Sequence, residues 1–303
     1  MTIGSDNECH YRPLRMEDIE PRTMRIVEEF IESISDLPIH VHEILKIVSD
    51  IESDAKEITK IAASDPVMVL KILTAVNSAY FGLPSKIDDL HHAIVLLGYR
   101  EIRKMAIQSG FSHALKCMYD TRELWRHSYL VSLCAEVIAL PVDRSRVGVQ
   151  MTVGILHDIG KFVLCNPVLS TRIQRGRPGG TSGRVWGSSV EKEDLTCGIN
   201  HAVVGKLLSM KWNLSDTISS TLEHHHYPSF YPLDMIPVDH LKEITVTCIA
   251  DLMVNHMCGL RLLQAPGKEY FNILGLQYPL EDTITEELRK KLEKAKSFLL
   301  YIE

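Results

Sequence analysis

The sequence predicts an all-α fold. Apolar residues recur at three- and four-residue spacing along most of the chain, and no stretch sustains a period-two alternation with hairpin turns on either side. Several segments also open on a capping residue and close on Gly or Pro, as helices do. With 303 residues, 45% hydrophobic and 24% charged, the chain has the proportions of a globular protein with a substantial core.

Taken in order, Met24 to Ile34 reads as a first helix, and Leu37-Pro38 breaks it before a second containing Val41, Ile44, Leu45 and Val48. Asp54 to Ala63 gives a third. Asp65-Pro66 is an N-cap followed by proline at the first helical position, opening a helix through Val69, Leu70, Leu73 and Val76 that stops near Gly82 and Pro84. Asp88 to Leu97 and Tyr99 to Ser109 read as two short helices around Gly98, an outline shared with helix-turn-helix units. Only Arg100, Arg103 and Lys104 are basic near the second of them, too few to favour DNA, so the pair is expected to pack on neighbouring helices.

Past about Leu115 the helices begin to carry polar residues at core positions. Arg175 to Ser189 (RGRPGGTSGRVWGSS) is a mobile loop by composition. A capped helix follows from Asn200, another from Ser215, and a long apolar one runs from about Asp239 to Met257. Thr283 to Tyr301, rich in Glu, Lys and Leu, is an amphipathic closing helix. The expected division is a flexible N-terminus (1–20), an N-terminal helical lobe (21–115), a helical core carrying the candidate site (116–265) and a C-terminal extension (266–303), with no internal repeat.

The net charge of -6 argues against a general nucleic-acid surface. No apolar run approaches the roughly 20 residues of a membrane span, and the opening MTIGSDNECHYRP lacks the pattern of a signal peptide. A cytoplasmic protein away from membranes is therefore expected. Seven cysteines, scattered and never spaced C-x-x-C, suggest buried free thiols in place of a disulfide framework or zinc ribbon.

Among the fourteen histidines, two groups stand out. Glu123 and His127 are four residues apart in TRELWRHSYLVSLCAEVIA, so both project from one helix face. In LHDIGK, His157 and Asp158 end the apolar helix VGVQMTVGIL, Gly160 permits a sharp change of direction, and Lys161 follows. An imidazole beside a carboxylate can serve one cation, or the carboxylate can bridge two. His40, His42, His91, His92, His113, His240 and His256 have no matched partner and read as surface or satisfied core residues, and His10 as part of a loose terminus. Trp125 and Trp212 fit core anchors.

The stretches LPIHVHEILKIV, SDPVMVLKILTAVNSAYFG, AIVLLGYREIRKMA, LWRHS, GILHDIGKFVL, NHAVVGKLLSMKWNLSDTI and EHHHYP, in that order, resemble the blocks of an HDOD domain. HDOD proteins are a bacterial branch of the HD superfamily of metal-dependent phosphohydrolases, related to the HD-GYP enzymes. The resemblance spans roughly Leu37 to Asp251 and implies a five-helix HD core preceded by an HDOD helical lobe, in a signalling or regulatory protein. By resemblance His127 matches the first HD histidine, His157-Asp158 the name-giving pair and Asp251 the last aspartate. Glu123, Lys161, His201 and His225-His226 match the longer HD-GYP pattern. Counting apolar positions forward from Ile218 and Leu222 favours His225 and His226 over His224, with Glu123 and His224 open between direct ligation and a supporting role.

Two departures matter. The Gly-Tyr-Pro loop of HD-GYP enzymes is replaced by HHHYPSFYP, and the Arg175 to Ser189 loop enlarges the gap before His201, so cyclic-dinucleotide specificity does not carry over. The eight matched ligands are nitrogen and oxygen donors suited to Fe, Mn, Zn or Ni, and they outnumber the needs of one tetrahedral ion. A pair of ions bridged by Asp158 is the economical arrangement. The resemblance leaves two uses open. One is a regulatory module with a structural or sensory metal and a signalling-protein partner. The other is a phosphohydrolase acting on a nucleotide or cyclic-dinucleotide phosphoester, with Lys161 and Asp158 as its catalytic groups.

Overall fold

The computed structural model describes residues 11–36, 43, 59, 61–63, 66–78, 80–83, 86–115, 122–175, 189–259 and 264–302. The expected second helix, most of the third, Asp65, His10, His40, His42 and nearly all of the Gly-rich loop lie outside these residues. Among those described there is no strand, and the fold is all-α.

The first half contains α1 (Pro21–Glu32), α2 (Pro66–Val76), α3 (Leu90–Leu97) and α4 (Tyr99–Leu115). The Asp89 side chain accepts from the His92 amide to start α3, and Gly98 at φ +81° separates it from α4, a backbone conformation that favours glycine. Arg103 and Lys104 are buried and Arg100 pairs with Glu136, so the basic residues of α4 turn inward.

The second half begins with α5 (Arg122–Val142), α6 (Val147–Leu156), α7 (Ile159–Leu164) and α8 (Pro167–Gln174). It continues through α9 (Val190–Cys197), α10 (His201–Lys211), α11 (Asp216–His224), α12 (Tyr227–Phe230) and α13 (Leu241–Met257). Asn200 caps α10 through the Val203 amide, and Ser215 caps α11 through the Ile218 amide, as their sequence positions predict. Helices α5, α6, α11 and α13 pack in a closed ring, with α10 laid across α7 and α11. The chain closes through α14 (Lys268–Leu274), α15 (Leu280–Thr283) and α16 (Glu286–Ile302).

Among the described residues two apolar cores are the largest. One joins α2, α3 and α4 to α5, α13 and the closing helices, through residues such as Met68, Ile72, Ile102, Val131, Ile249 and Leu292. The other joins α1 to α6, α7, α8, α10 and α11, through Val27, Ile31, Leu156, Val163, Leu208 and Leu222. The expected boundaries are therefore crossed from both ends. Helix α1 packs on α8 and α10 in the second half, while α16 packs on α2 and α5. Residues 11–19, expected to be loose, are docked, with Pro13 and Ile19 buried.

Trp125 and Trp212 are buried as anchors, Trp125 against Phe162 and Trp212 donating its indole N–H to the Ser35 carbonyl. The segment Arg144–Leu164 is long and apolar enough to cross a membrane, contrary to the expectation that no run would be, yet 89% of its most apolar stretch is buried inside the fold. Cys134, Cys197 and Cys248 are buried free thiols and Cys258 is an exposed one.

Gly160 serves close packing and not the turn that the sequence suggests, since its φ is not positive. A β-carbon there would lie 2.0 Å from the His201 carbonyl oxygen and 2.8 Å from the Gly205 nitrogen, so α7 sits directly on α10. At Gly205 a β-carbon would meet nothing nearer than Ile159 Cγ2 at 3.6 Å, an ordinary contact. Gly160→Ala is expected to destabilise by about 1–3 kcal/mol through overpacking, whereas Gly205→Ala should be neutral or stabilising by up to about 1 kcal/mol through helix propensity. Urea unfolding midpoints of the two variants check this, and equal midpoints would contradict it.

Candidate metal centre

Five segments supply the polar residues that meet inside the ring. Helix α5 carries His127. The junction of α6 and α7 carries His157 and Asp158, α10 begins at His201, His225 and His226 follow α11, and α13 carries Asp251. Every residue of α13 from Glu243 to Val254 is buried, so Asp251 is a carboxylate set into an otherwise core-facing helix.

The donor atoms form two trios. Those of His127, His157 and Asp251 lie within 4.8 Å of one another, and so do those of His201, His225 and His226. Asp158 stands between them. Its Oδ2 is 3.5 Å from His157 Nε2 and 3.8 Å from His127 Nε2, and its Oδ1 is 3.1 Å from His201 Nε2. Lys161 Nζ donates to Oδ2 at 2.7 Å.

Backbone and carboxylate acceptors fix the ring orientations. His157 Nδ1 donates to the Gly154 carbonyl (2.9 Å), His225 Nδ1 to the Leu222 carbonyl (2.8 Å) and His201 Nδ1 to Glu193 Oε2 (2.5 Å), because these oxygens can only accept. All three rings therefore turn Nε2 toward the centre, the arrangement in which an oxygen on the far nitrogen orients a metal-binding imidazole. Asp251 Oδ1 receives Asn255 Nδ2 at 2.8 Å and lies 3.0 Å from His127 Nε2.

Protonation follows from these neighbours. Burial holds His157 below its ordinary value despite two adjacent carboxylates. Burial, reinforced by His201 and His157, pushes His225 down to about 3, and burial with His225 and His201 puts His226 well below the usual range. Burial also opposes charge on His201, but Glu193 and Asp158 outweigh it and raise the ring to about 9. Asp158 is held well below the usual carboxylate range, because Lys161, His157 and His201 overcome its burial. Asp251 falls to about 2, where the His127 hydrogen bond outweighs burial.

This donor set fits metal ions. His157 Nε2 is buried with no hydrogen-bond partner and its lone pair faces the Asp158 and Asp251 carboxylates, at 3.5 and 3.8 Å. Asp158 Oδ1 likewise has no hydrogen bond, since His201 is near enough but out of line. A lone pair turned toward two carboxylates, with a further carboxylate oxygen unmatched, is costly in a buried setting unless a cation lies among them.

Of the sequence-predicted residues, Glu123 is left outside. Its side chain is 72% exposed and pairs with Arg126 at 2.9 Å, one turn before His127. His224 is also turned away, donating Nδ1 to the Ser220 carbonyl and packing edge-on against Tyr227. Glu193, which the sequence reading missed, is fully buried and holds His201 by both its ring and its amide. Its place eight residues before His201, across a turn, follows no helical spacing. Asn255, one turn after Asp251, could have been found by i, i+4 pairing.

Comparison with known proteins matches residues 34–228 to the HDOD domain family. A protein of Treponema pallidum (strain Nichols) with no assigned role is 23% identical over 252 residues, 80% of this chain, and this chain spans under half (47%) of that protein's length. Among solved structures, an HDOD domain protein of unknown function from Geobacter sulfurreducens superposes with a TM-score of 0.65 at 18% identity, covering 93% of this chain and 98% of the other. A candidate phosphohydrolase of Shewanella amazonensis SB2B gives 0.63 at 19%, covering 92% and 98%. At these identities the structural likeness establishes the fold.

Glu193→Gln is expected to weaken Mn2+ binding by about 10–100-fold, the usual cost of losing an orienting partner, while Glu123→Gln leaves it unchanged. Because His201 is protonated below about 9 in the metal-free site, an ion must displace that proton. Calorimetry in buffers of different ionisation enthalpy should then show about one proton released at pH 7.5, falling toward none above pH 9. The opposite order of the two variants, or no release at pH 7.5, would contradict the assignment.

Proposed function

We propose, from the premise that the chain belongs to the HDOD domain family, that it is a bacterial signalling or regulatory protein whose helical core holds two metal ions bridged by Asp158 and receives a phosphate ester there. The observation that carries this reading is the Asp158 carboxylate, within 3.8 Å of imidazoles from both trios. His127, His157 and Asp251 would hold one ion and His201, His225 and His226 the other, with Fe, Mn, Zn or Ni matching the donor type.

The regulatory part of the reading is supported by how the first lobe meets the metal-bearing helix. Tyr129, two residues past His127, donates its hydroxyl to Glu101 of α4 at 2.7 Å, and Lys104 joins the same carboxylate while its ammonium lies 4.3 Å from the Tyr129 ring centroid. A partner that shifts α4 would act directly on α5. A signalling-protein partner is therefore part of the proposal, and DNA is not, given the inward-turned basic residues of α4. Free thiols such as Cys258 suit a reducing, cytoplasmic setting, which we include in the proposal.

A second reading, active hydrolysis of a nucleotide phosphoester, is favoured by Lys161. When bound, a metal pair supplies Lewis acidity toward a phosphoryl oxygen and makes water more acidic. Lys161, kept protonated because Asp158 outweighs its burial, would place a fixed positive charge where phosphoryl charge develops. The side chains of Lys161 and His127 are 17% and 19% accessible, against 0% for His157 and His201, so an ester could reach the centre past Lys161 and His127.

Metal analysis after loading with Mn2+ is expected to give two equivalents in the wild type and none in Asp158→Asn. A site that takes no Mn2+, Fe2+ or Zn2+ would overturn the central reading. Steady-state assays against a generic phosphodiester, nucleotides and cyclic dinucleotides then separate the two uses. If turnover occurs, Lys161→Met should lower it by about 10²–10³-fold, the scale of losing one charge-stabilising donor, while retaining both ions. Two bound ions without turnover would end the enzyme reading and leave the regulatory one.

A further inference from the structure

The start of the chain is fastened to the elements that carry one trio. Tyr11 donates its hydroxyl to Asp194 Oδ2 at 2.6 Å, and the Leu14 amide donates to the same oxygen at 2.9 Å. Asn200 Nδ2 donates to the Leu14 carbonyl at 3.0 Å and to Asp194 Oδ1 at 2.9 Å, while Asn200 Oδ1 caps α10 through the Val203 amide. On the other side, Tyr231 donates its hydroxyl to the Pro13 carbonyl at 2.8 Å, the Arg12 guanidinium lies over the Tyr231 ring, and Tyr11 packs edge-on against Phe230.

These attachments bracket the His201, His225 and His226 trio. Asp194 is next to Glu193, which grips His201 by its amide and ring, and Asn200 directly precedes His201. Phe230 and Tyr231 end α12, which starts directly after His226. Among the described residues, the hydrogen bonds of residues 11–14 go to these elements and not to the helices of the His127, His157 and Asp251 trio.

We propose that Tyr11–Leu14 is a positioning strap whose docking on Asp194, Asn200 and Tyr231 is thermodynamically coupled to metal occupation of the His201, His225 and His226 trio. The inference rests on the two-ion reading above. Releasing the strap frees the α9–α10 junction, and with it the orientation of His201, relative to the segment carrying His225 and His226. Linkage makes the coupling reciprocal: an ion in that trio must hold the strap down by the same factor by which the docked strap tightens the ion.

The test uses the full-length protein with Mn2+ as probe. Hydrogen exchange at the Leu14 and His201 amides, with and without Mn2+, reads strap docking in the wild type without any substitution. Mn2+ titration of Tyr11→Phe reads the converse. We expect one of the two equivalents to weaken by about fivefold or more in Tyr11→Phe while the other holds, and Mn2+ to slow Leu14 exchange by a similar factor, the lower end of ordinary coupling. Two bound ions with unchanged Leu14 exchange would overturn the strap and leave the two-ion reading standing. Equal weakening of both equivalents in Tyr11→Phe would reduce the strap to a general structural contact, which also overturns it. Failure of the wild type to bind a second ion would remove both.

Discussion

The structure is organised around a carboxylate where a carboxylate is expensive. Asp158 is 2% exposed and sits at the break between two apolar helices, in a setting where an ion needs matched partners to remain charged. Its partners come from separate parts of the chain: Lys161 from the next turn, His127 from α5 and His201 from α10. To bring them within 4 Å, α6 must approach α5 and α7 must approach α10 closer than side chains normally allow. Gly154 and Gly160 permit this, since a β-carbon at either would fall within 3 Å of the facing backbone, at Ser132 and His201 respectively. Packing and electrostatics are thus the same constraint seen at two scales.

That distinction explains what was legible in the sequence. Helix starts at Asn200 and Ser215 are local, because a side-chain oxygen bonds an amide three residues on, and the caps lie where the sequence puts them. The choice of His225 and His226 over His224 also followed from local counting, and the structure turns those two toward His201. Glu123 enters the cluster by resemblance and by its spacing on the His127 face, but spacing fixes only where a side chain starts. Arg126 is within reach of the same carboxylate at the solvent-facing end of α5, and the pair forms there. Gly160 was noticed for its conformational freedom, when the demand on it is steric and comes from a helix about forty residues away. Glu193 and the docking of residues 11–14 arise from contacts across α9, α10 and α12 that carry no periodic signal.

Helix α5 is the element on which both halves depend. Its Leu130, Val131 and Cys134 belong to the core shared with the first lobe, while Leu124 and Trp125 belong to the core shared with α6, α7 and α10. His127 lies between these sets. The Tyr129, Glu101 and Lys104 cluster adds polar bonds with fixed directions, which resist sliding more than apolar contacts do. A displacement of the first lobe therefore cannot be absorbed by repacking alone. It has to break those bonds or carry His127 with it, and His127 is the member of its trio with the greatest exposure.

The other trio is backed by aromatic rings. Below it, Tyr227 stacks on Tyr231 at 4.4 Å, Tyr270 donates its hydroxyl to the Tyr231 carbonyl, and His224 closes on Tyr227. The HHHYPSFYP segment thus forms a block of packed aromatic rings. His201 and His225 are fully buried, and the accessible residues around the centre are His127, Lys161 and His226. The two trios differ in what backs them: one is tied to α4 through Tyr129, the other is held by rings on one side and by residues 11–14 on the other.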